Sequence, residues 1–236
     1  MNVKQLFVRT LALLLIAATA LSFFACSDKV GVLTADQNGG YVNNKNKVRY
    51  FAAPGSYSVT SYISDEAVAL NDGINFYQVD RALGEKWLYS PDFGILLYAE
   101  GEKLPTFEDM HVSKMELCLD DGEKMISAFE VENTAKIEAV IDAYHSGEAV
   151  TYPGKKANYK FYLKFTSTEY PWLVYNLEYM QYAEDLIVYV KDESGEVTEK
   201  NVGKNFIYNR DEKRFVTIGD ELQNYIDDYY HNTDAK

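Results

Sequence analysis

Two runs of alternating apolar and polar residues limit the fold of this 236-residue chain more than any other feature. From Tyr159 to Phe165 every second side chain is large and apolar, and the same pattern returns from Leu173 to Tyr179. An alternation with a period of two residues is typical of a β-strand that buries one face. The two runs therefore predict strands of an antiparallel sheet.

Two other segments follow the helical period. Asn133 is a suitable N-cap for a helix over residues 134–146, and a second amphipathic helix is predicted over about residues 220–230. An Asp121–Gly122 pair predicts a tight hairpin turn ahead of the first helix. Because strands outnumber these helices but both are present, we expect the α+β class, an antiparallel β-sheet with the helices packed on one side.

The composition along the chain predicts its division into parts. Residues 47–104 form a β-rich N-terminal portion, residues 105–230 an α+β portion, and residues 231–236 a tail. Residues 26–46 are polar and contain Gly39–Gly40, so they predict a flexible tether. An ordered edge strand around residues 30–34 is the alternative for that segment.

The first 25 residues have the layout of an export signal. Basic residues precede an apolar stretch, and too few residues separate Arg9 from Cys26 for a spanning helix, which needs roughly 20. The stretch ends in Phe23-Phe24-Ala25-Cys26, which is similar to the lipobox of bacterial lipoproteins. Residues 1–25 are thus predicted to be a lipoprotein signal peptide and Cys26 to carry lipid on the outer face of the cell membrane. A cut after Ala20 is the alternative.

The charge balance narrows the classes of partner. The chain has 36 acidic and 23 basic residues, and loss of Lys4 and Arg9 with the signal peptide changes its formal net charge from −13 to −15. Nucleic-acid binding depends on clustered Lys and Arg, so nucleic acid is excluded as a general partner.

Short catalytic and metal-binding motifs are absent from the sequence. The three histidines are far apart, and Cys118 is the one thiol left once Cys26 carries lipid, so we predict no metal site and no cofactor. The segment Tyr152–Lys156 is predicted to be a turn and has no nucleotide-binding motif near it, so we predict no function for it.

A pair of carboxylates, as in a glycosidase, is a catalytic arrangement that leaves no short motif in the sequence. Glu178 lies on the face opposite the apolar side of its strand, and three acids are near it in sequence: Glu169, Glu184 and Asp185. A solvated acidic surface is the simpler interpretation of these residues.

Aromatic residues are the compositional sign of a ligand, with 20 Tyr, 12 Phe and two Trp. The candidate ligand-contacting residues are Trp87, Tyr89, Tyr170 and Trp172, because exposed Trp and Tyr offer flat surfaces to sugars or peptides. Packing within an antiparallel sheet is the alternative explanation for so many tyrosines.

Several segments together resemble small lipoproteins of unknown function from anaerobic, low-GC Gram-positive bacteria. The segments are the lipobox-like end at Cys26, Gly39–Tyr41, residues 86–88, residues 97–101 and the strand-then-helix unit from Met115 to Tyr144. The resemblance implies a location at the membrane and assigns no activity.

Three functions remain as hypotheses. The first is a lipid-anchored, non-enzymatic module that binds a cell-wall, glycan or protein partner. The second is a glycan hydrolase that uses paired carboxylates, which would need two acids about 5–10 Å apart in an aromatic-lined cleft. The third is an accessory or inhibitory subunit of a membrane complex.

Overall fold

The computed structural model describes residues 30–120, 125–191 and 194–233. The predicted signal peptide, Cys26 and the predicted Asp121–Gly122 turn lie outside these residues. The chain divides into two compact units. The described part of unit 1 comprises residues 30–53 and 61–103, and that of unit 2 comprises residues 54–60 and 104–233 with the gaps already given.

Seventeen strands and two α-helices form the described chain. In chain order they are β1 (Gly31–Ala35), β2 (Tyr41–Asn43), β3 (Arg49–Ala52), β4 (Tyr57–Val59), β5 (Ala69–Asn71), β6 (Ile74–Gln78), β7 (Trp87–Ser90), β8 (Ile95–Ala99), β9 (Val112–Asp120), β10 (Met125–Val131), α1 (Thr134–Ser146), β11 (Ala149–Val150), β12 (Tyr159–Ser167), β13 (Leu173–Gln181), β14 (Ile187–Lys191), β15 (Val197–Asn201), β16 (Asn205–Asn209), β17 (Arg214–Thr217) and α2 (Gln223–Thr233).

Unit 1 is a closed β-barrel with the strand order β1-β2-β3-β8-β7-β6-β5. The parallel pair of β1 with β5 closes it, and the other neighbours pair antiparallel. Closure leaves no free edge among these strands, which protects their backbone hydrogen-bonding groups. Buried side chains fill the interior, among them Leu33, Tyr50, Phe76, Leu88 and Leu97.

Strands β1 and β2 lie in the segment that the sequence predicts to be a flexible tether. Leu33 and Asn43 are paired partners and are 2% and 1% exposed. The Asp36 carboxylate accepts the backbone N–H groups of Asn38 and Gly40 and so fixes the turn between the strands. The composition is misleading because only alternate residues of a barrel strand face the core. The alternative of an ordered strand around residues 30–34 agrees with β1, although β1 has a neighbour on each side and is not an edge strand.

We expect Gly31→Ala to lower the free energy of unfolding of unit 1 by about 1–3 kcal/mol, as overpacking of a core does. A Cβ at Gly31 would overlap the side chain of Asn43, whose Oδ1 is held by the backbone N–H of Lys45 at 2.9 Å. Urea denaturation measures the loss. Val32→Ala, on the same strand but 45% exposed, is the control and should cost less than about 1 kcal/mol. If both variants were as stable as the wild type, residues 31–43 would not contribute to the folded barrel, and the prediction of a flexible tether would stand.

Unit 2 is built on a sheet with the order β10-β9-β12-β13-β16-β17-β11. The two alternating runs form β12 and β13, so that prediction is confirmed, and they pair antiparallel with Leu163 opposite Leu177. β4 pairs with Leu173–Tyr175 of β13, whereas β16 pairs with Glu178–Gln181. β14 and β15 form a separate hairpin, and Val188 of β14 and the preceding Leu186 pack against a buried cluster that includes Met180 and Phe206 of the sheet.

The predicted α+β class is wrong, because the protein is mostly β. Strands take up 45% of the described residues and helices 13%, and these elements include a closed seven-strand barrel and a large sheet. The helix predicted over residues 134–146 is present, and the Asn133 side chain accepts the N–H of Lys136. The second helix is short and begins at Gln223. The prediction failed because two segments with a clear helical period counted for more than many short strands, which show little periodicity. Several of these strands also lie outside the segments that the sequence predicts to be β.

Neither helix in the described ranges is both long enough and apolar enough to cross a membrane.

Candidate functional site

Glu178 lies in the middle of β13, and its cross-strand neighbours are Tyr162 on β12 and Tyr208 on β16. Successive side chains of a strand point to opposite faces, so Glu178 shares its face with Asn176 and Met180 rather than with the predicted apolar run. The sequence favours a solvated position, yet Glu178 is only 5% exposed. A buried carboxylate requires charged or hydrogen-bonding partners.

Two cations hold one oxygen of Glu178. Oε1 lies 2.6 Å from Arg210 Nε and 3.1 Å from Lys160 Nζ, and Lys160 also donates to the Tyr162 hydroxyl at 3.1 Å. The other oxygen, Oε2, is buried and has no hydrogen-bond partner among the described residues. Buried polar atoms are nearly always paired in folded proteins, so the unpartnered Oε2 is unusual and marks Glu178 as a candidate ligand-binding residue.

A cavity of about 520 Å³ opens beside Glu178. We call it the Glu178 pocket, and its lining residues are Tyr152, Lys155, Lys156, Ala157, Lys160, Glu178, Met180, Tyr208 and Arg210. Its volume falls within the range of small-molecule sites, about 300–1,000 Å³. Four cations and one carboxylate line it, so it is locally basic in a chain of net charge −13.

Two tyrosine rings form one wall of the Glu178 pocket. Tyr152 and Tyr208 stack with ring centroids 5.0 Å apart and planes 8° apart, and Tyr152 is 41% exposed. Lys155 and Lys156 are exposed on the same segment and have no ion-pair partner in the described part of the chain. The pocket thus combines free positive charge, a flat aromatic surface and one buried acceptor that has no partner among the described residues.

A narrower cavity of about 190 Å³ adjoins the Glu178 pocket and shares Glu178, Tyr208 and Arg210 with it. It lies where β4 and β16 pair with different stretches of β13. The Asn176 amide donates to the Ser56 carbonyl at 2.9 Å, and the Asp211 carboxylate accepts the backbone N–H of Ser56. These bonds fix β4 and leave the gap between β4 and β16 open.

A third cavity of about 490 Å³, which we call the aromatic pocket, shares Ser56 and Asp211 with the narrow one. Its aromatic lining is Tyr57, Phe107, Tyr144 and Tyr175, and its charged lining is Glu108, His145, Asp211, Glu212 and Arg214. Phe107 stacks on Tyr175 with centroids 4.3 Å apart. Burial raises the pKa of the Tyr57 hydroxyl to about 12, and the charges of Glu108, Glu212 and Asp109 act in the same direction. Burial also raises the pKa of Tyr175.

The four aromatic residues predicted to contact ligand lie elsewhere. Trp87 is 3% exposed, and its ring stacks on Tyr98. Tyr89 is half-buried in unit 1, and Tyr170 and Trp172 are half-buried in unit 2. None of the four lines any of the three cavities.

The three acids that are close to Glu178 in the sequence do not line any of the three cavities. Glu169 pairs with His111 at 2.8 Å, Asp185 accepts the Asn201 amide at 2.8 Å, and Glu184 is exposed. The acid that shares a cavity with Glu178 is Asp211, from the turn after β16. No role is predicted for Lys155 and Lys156 from the sequence, although two adjacent lysines in so acidic a chain indicate a local positive charge that can bind an anion.

Metal binding and thiol chemistry have less support among the described residues than ligand binding in the Glu178 pocket. Within the described ranges no group of His, Cys, Asp and Glu is placed to hold a metal ion. Cys118 is 2% exposed, and burial raises the pKa of its thiol, which disfavours the reactive thiolate.

Comparison with protein-family models, with curated proteins and with solved structures finds no match to this chain. The chemistry of the site therefore has to be inferred from its own geometry.

Proposed function

We propose that the protein is a lipid-anchored binding module on the outer face of the cell membrane, and that the Glu178 pocket binds an anionic, hydroxyl-bearing ligand of the acidic-glycan or sugar-phosphate type. The observation that carries the proposal is the unpartnered, buried Oε2 of Glu178 in a pocket lined by four cations. A purely anionic ligand would leave this acceptor unsatisfied, and a neutral one would leave the lysines unused.

Each part of such a ligand has a counterpart in the pocket. A phosphate or carboxylate suits Lys155, Lys156 and the exposed end of Arg210, since charge-assisted hydrogen bonds are the strong ones. A sugar hydroxyl can donate to Glu178 Oε2. The face of a sugar ring fits against the stacked Tyr152 and Tyr208.

The proposed anchor is Cys26, and its distance from the fold is short. β1 begins at Gly31, so the five residues from Cys26 reach at most about 17 Å even when fully extended. Lipid on Cys26 would therefore keep unit 1 close to the membrane surface. Metabolic labelling with a fatty-acid analogue tests this part, because Cys26→Ala should abolish the label and Cys118→Ala should not.

The double variant Lys155→Gln/Lys156→Gln tests the ligand site. We expect it to weaken binding of glucose 6-phosphate about tenfold, which corresponds to about 1.4 kcal/mol. Calorimetric titration measures the affinity. Lys45→Gln/Lys103→Gln makes the same change of net charge in unit 1 and should leave the affinity unchanged. Equal weakening by both double variants would overturn the assignment of the pocket.

Glycan hydrolysis is a second candidate function, because Glu178 and Asp211 line the same narrow cavity and glycosidases use two acids in one cleft. Release of reducing ends from a panel of glycans tests it. Turnover that is lost in both Glu178→Gln and Asp211→Asn would favour hydrolysis over binding alone.

A further inference from the structure

The three cavities of unit 2 share lining residues and therefore lie side by side, and we call this row of cavities the track. Glu178, Tyr208 and Arg210 line both the Glu178 pocket and the narrow cavity. Ser56 and Asp211 line both the narrow cavity and the aromatic pocket. An extended molecule that lies along the track would contact both larger pockets.

The two ends of this track differ in charge. Lys155, Lys156, Lys160 and Arg210 surround the Glu178 pocket, whereas Glu108, Asp211 and Glu212 line the aromatic pocket. The cation of the aromatic pocket, Arg214, is engaged at the end of α1, where it donates to the carbonyl oxygens of Tyr144 and His145 at 3.1 and 3.0 Å. Its charge offsets one of the three carboxylates, and of the other groups in the lining His145 Nε2 lies 3.5 Å from Glu108 Oε1.

Aromatic rings make the acidic end suitable for an ammonium group. Cations are attracted to the faces of aromatic rings, and the Arg214 guanidinium already lies 4.7 Å from the centre of the Tyr144 ring. The raised pKa of Tyr57 agrees with a negative potential in this pocket, because Glu108 and Glu212 contribute to it alongside burial. A second positive group from a ligand would meet both carboxylates and ring surface.

We propose that the ligand is dipolar, with its anionic, hydroxyl-bearing part in the Glu178 pocket and an ammonium group in the aromatic pocket. The anionic half rests on the function proposed above. The ammonium half rests on the lining of the aromatic pocket and on the residues that neighbouring cavities of the track share.

A matched pair of probes tests the proposal. One is a short glycerol phosphate oligomer, and the other is the same oligomer with alanyl esters on only some of its hydroxyls, so that free amino groups are added while free hydroxyls remain. Calorimetric titration of the full chain should give about tenfold tighter binding of the esterified oligomer. The gain should disappear in Glu108→Gln/Glu212→Gln, in which the new amide oxygen at position 212 still offers an acceptor to the Tyr144 hydroxyl. It should persist in the control Glu184→Gln/Glu199→Gln, which changes the net charge equally at exposed positions.

The outcomes separate the two proposals. If the plain oligomer binds and the amino groups add nothing, the ligand is anionic only, and the dipolar proposal is overturned while the proposed function stands. If the gain survives in Glu108→Gln/Glu212→Gln, the ammonium group binds elsewhere and the proposal is also overturned. If neither oligomer binds, the function proposed for the Glu178 pocket and the dipolar proposal are both overturned.

Discussion

Phe107→Ala is expected to lower the free energy of unfolding of unit 2 by about 3–5 kcal/mol, the range for removing a large buried aromatic side chain. Phe107 is 5% exposed and stacks on Tyr175, with centroids 4.3 Å apart and planes 11° apart. It also packs edge-on against Phe165 at 5.0 Å and Tyr144 at 6.3 Å. Its loss would remove these contacts and leave a void that three packed rings cannot fill.

Urea denaturation followed by circular dichroism measures this effect, and hydrogen exchange assigns it to β13. Phe93→Ala is the matched control, because Phe93 is 63% exposed and its removal should cost less than about 0.5 kcal/mol. A loss below about 1 kcal/mol for Phe107→Ala would mean that Phe107 is not a centre of the aromatic packing.

Lys160→Met is expected to lower the free energy of unfolding by about 2–3 kcal/mol. The Glu178 side chain is 6% exposed and would keep Arg210 as its one remaining ion-pair partner among the described residues. Breaking a buried ion pair typically costs about 3–5 kcal/mol, and we expect less because the Lys160 side chain is 33% exposed.

The double variant Lys160→Met/Glu178→Leu shows where that loss originates. Replacing a buried ion pair by apolar residues of similar size is often neutral, so the double variant should recover most of the stability. Urea denaturation of the two variants in parallel measures the recovery. A double variant as unstable as Lys160→Met would place the source of the loss outside the contact with Glu178.

Local periodicity accounts for the parts of the fold that the sequence predicts. β12, β13 and α1 each carry a complete pattern within one segment, and for α1 the Asn133 cap marks its start. No local pattern in the sequence indicates that the strands of unit 1 close into a barrel. Closure depends on pairing Gly31 and Val32 of β1 with Ala69 and Leu70 of β5, and strands of three to five residues are too short to show a period.

The site was harder to predict than the strand that carries it. Alternation places Glu178 on the face opposite the apolar run, and a one-layer sheet would leave that face in water. In the structure a second cluster covers the neighbouring part of the face, formed by Met180, Tyr182, Val202, Phe206 and Phe215. The residues that complete the pocket come from a turn before β12 and a turn after β16, so no local pattern in the sequence joins them to Glu178.

The central claim is that Glu178 Oε2 accepts a hydrogen bond from a hydroxyl of an anionic ligand. The most direct test is calorimetric titration of the wild type and Glu178→Leu with glucose 6-phosphate and with inorganic phosphate. We predict that the wild type prefers the sugar phosphate by at least about tenfold, a difference of about 1.4 kcal/mol. In Glu178→Leu this preference should fall severalfold, to the part that ring contact with Tyr152 and Tyr208 supplies, while phosphate still binds because the cations of the pocket remain. An unchanged preference in Glu178→Leu would contradict the claim.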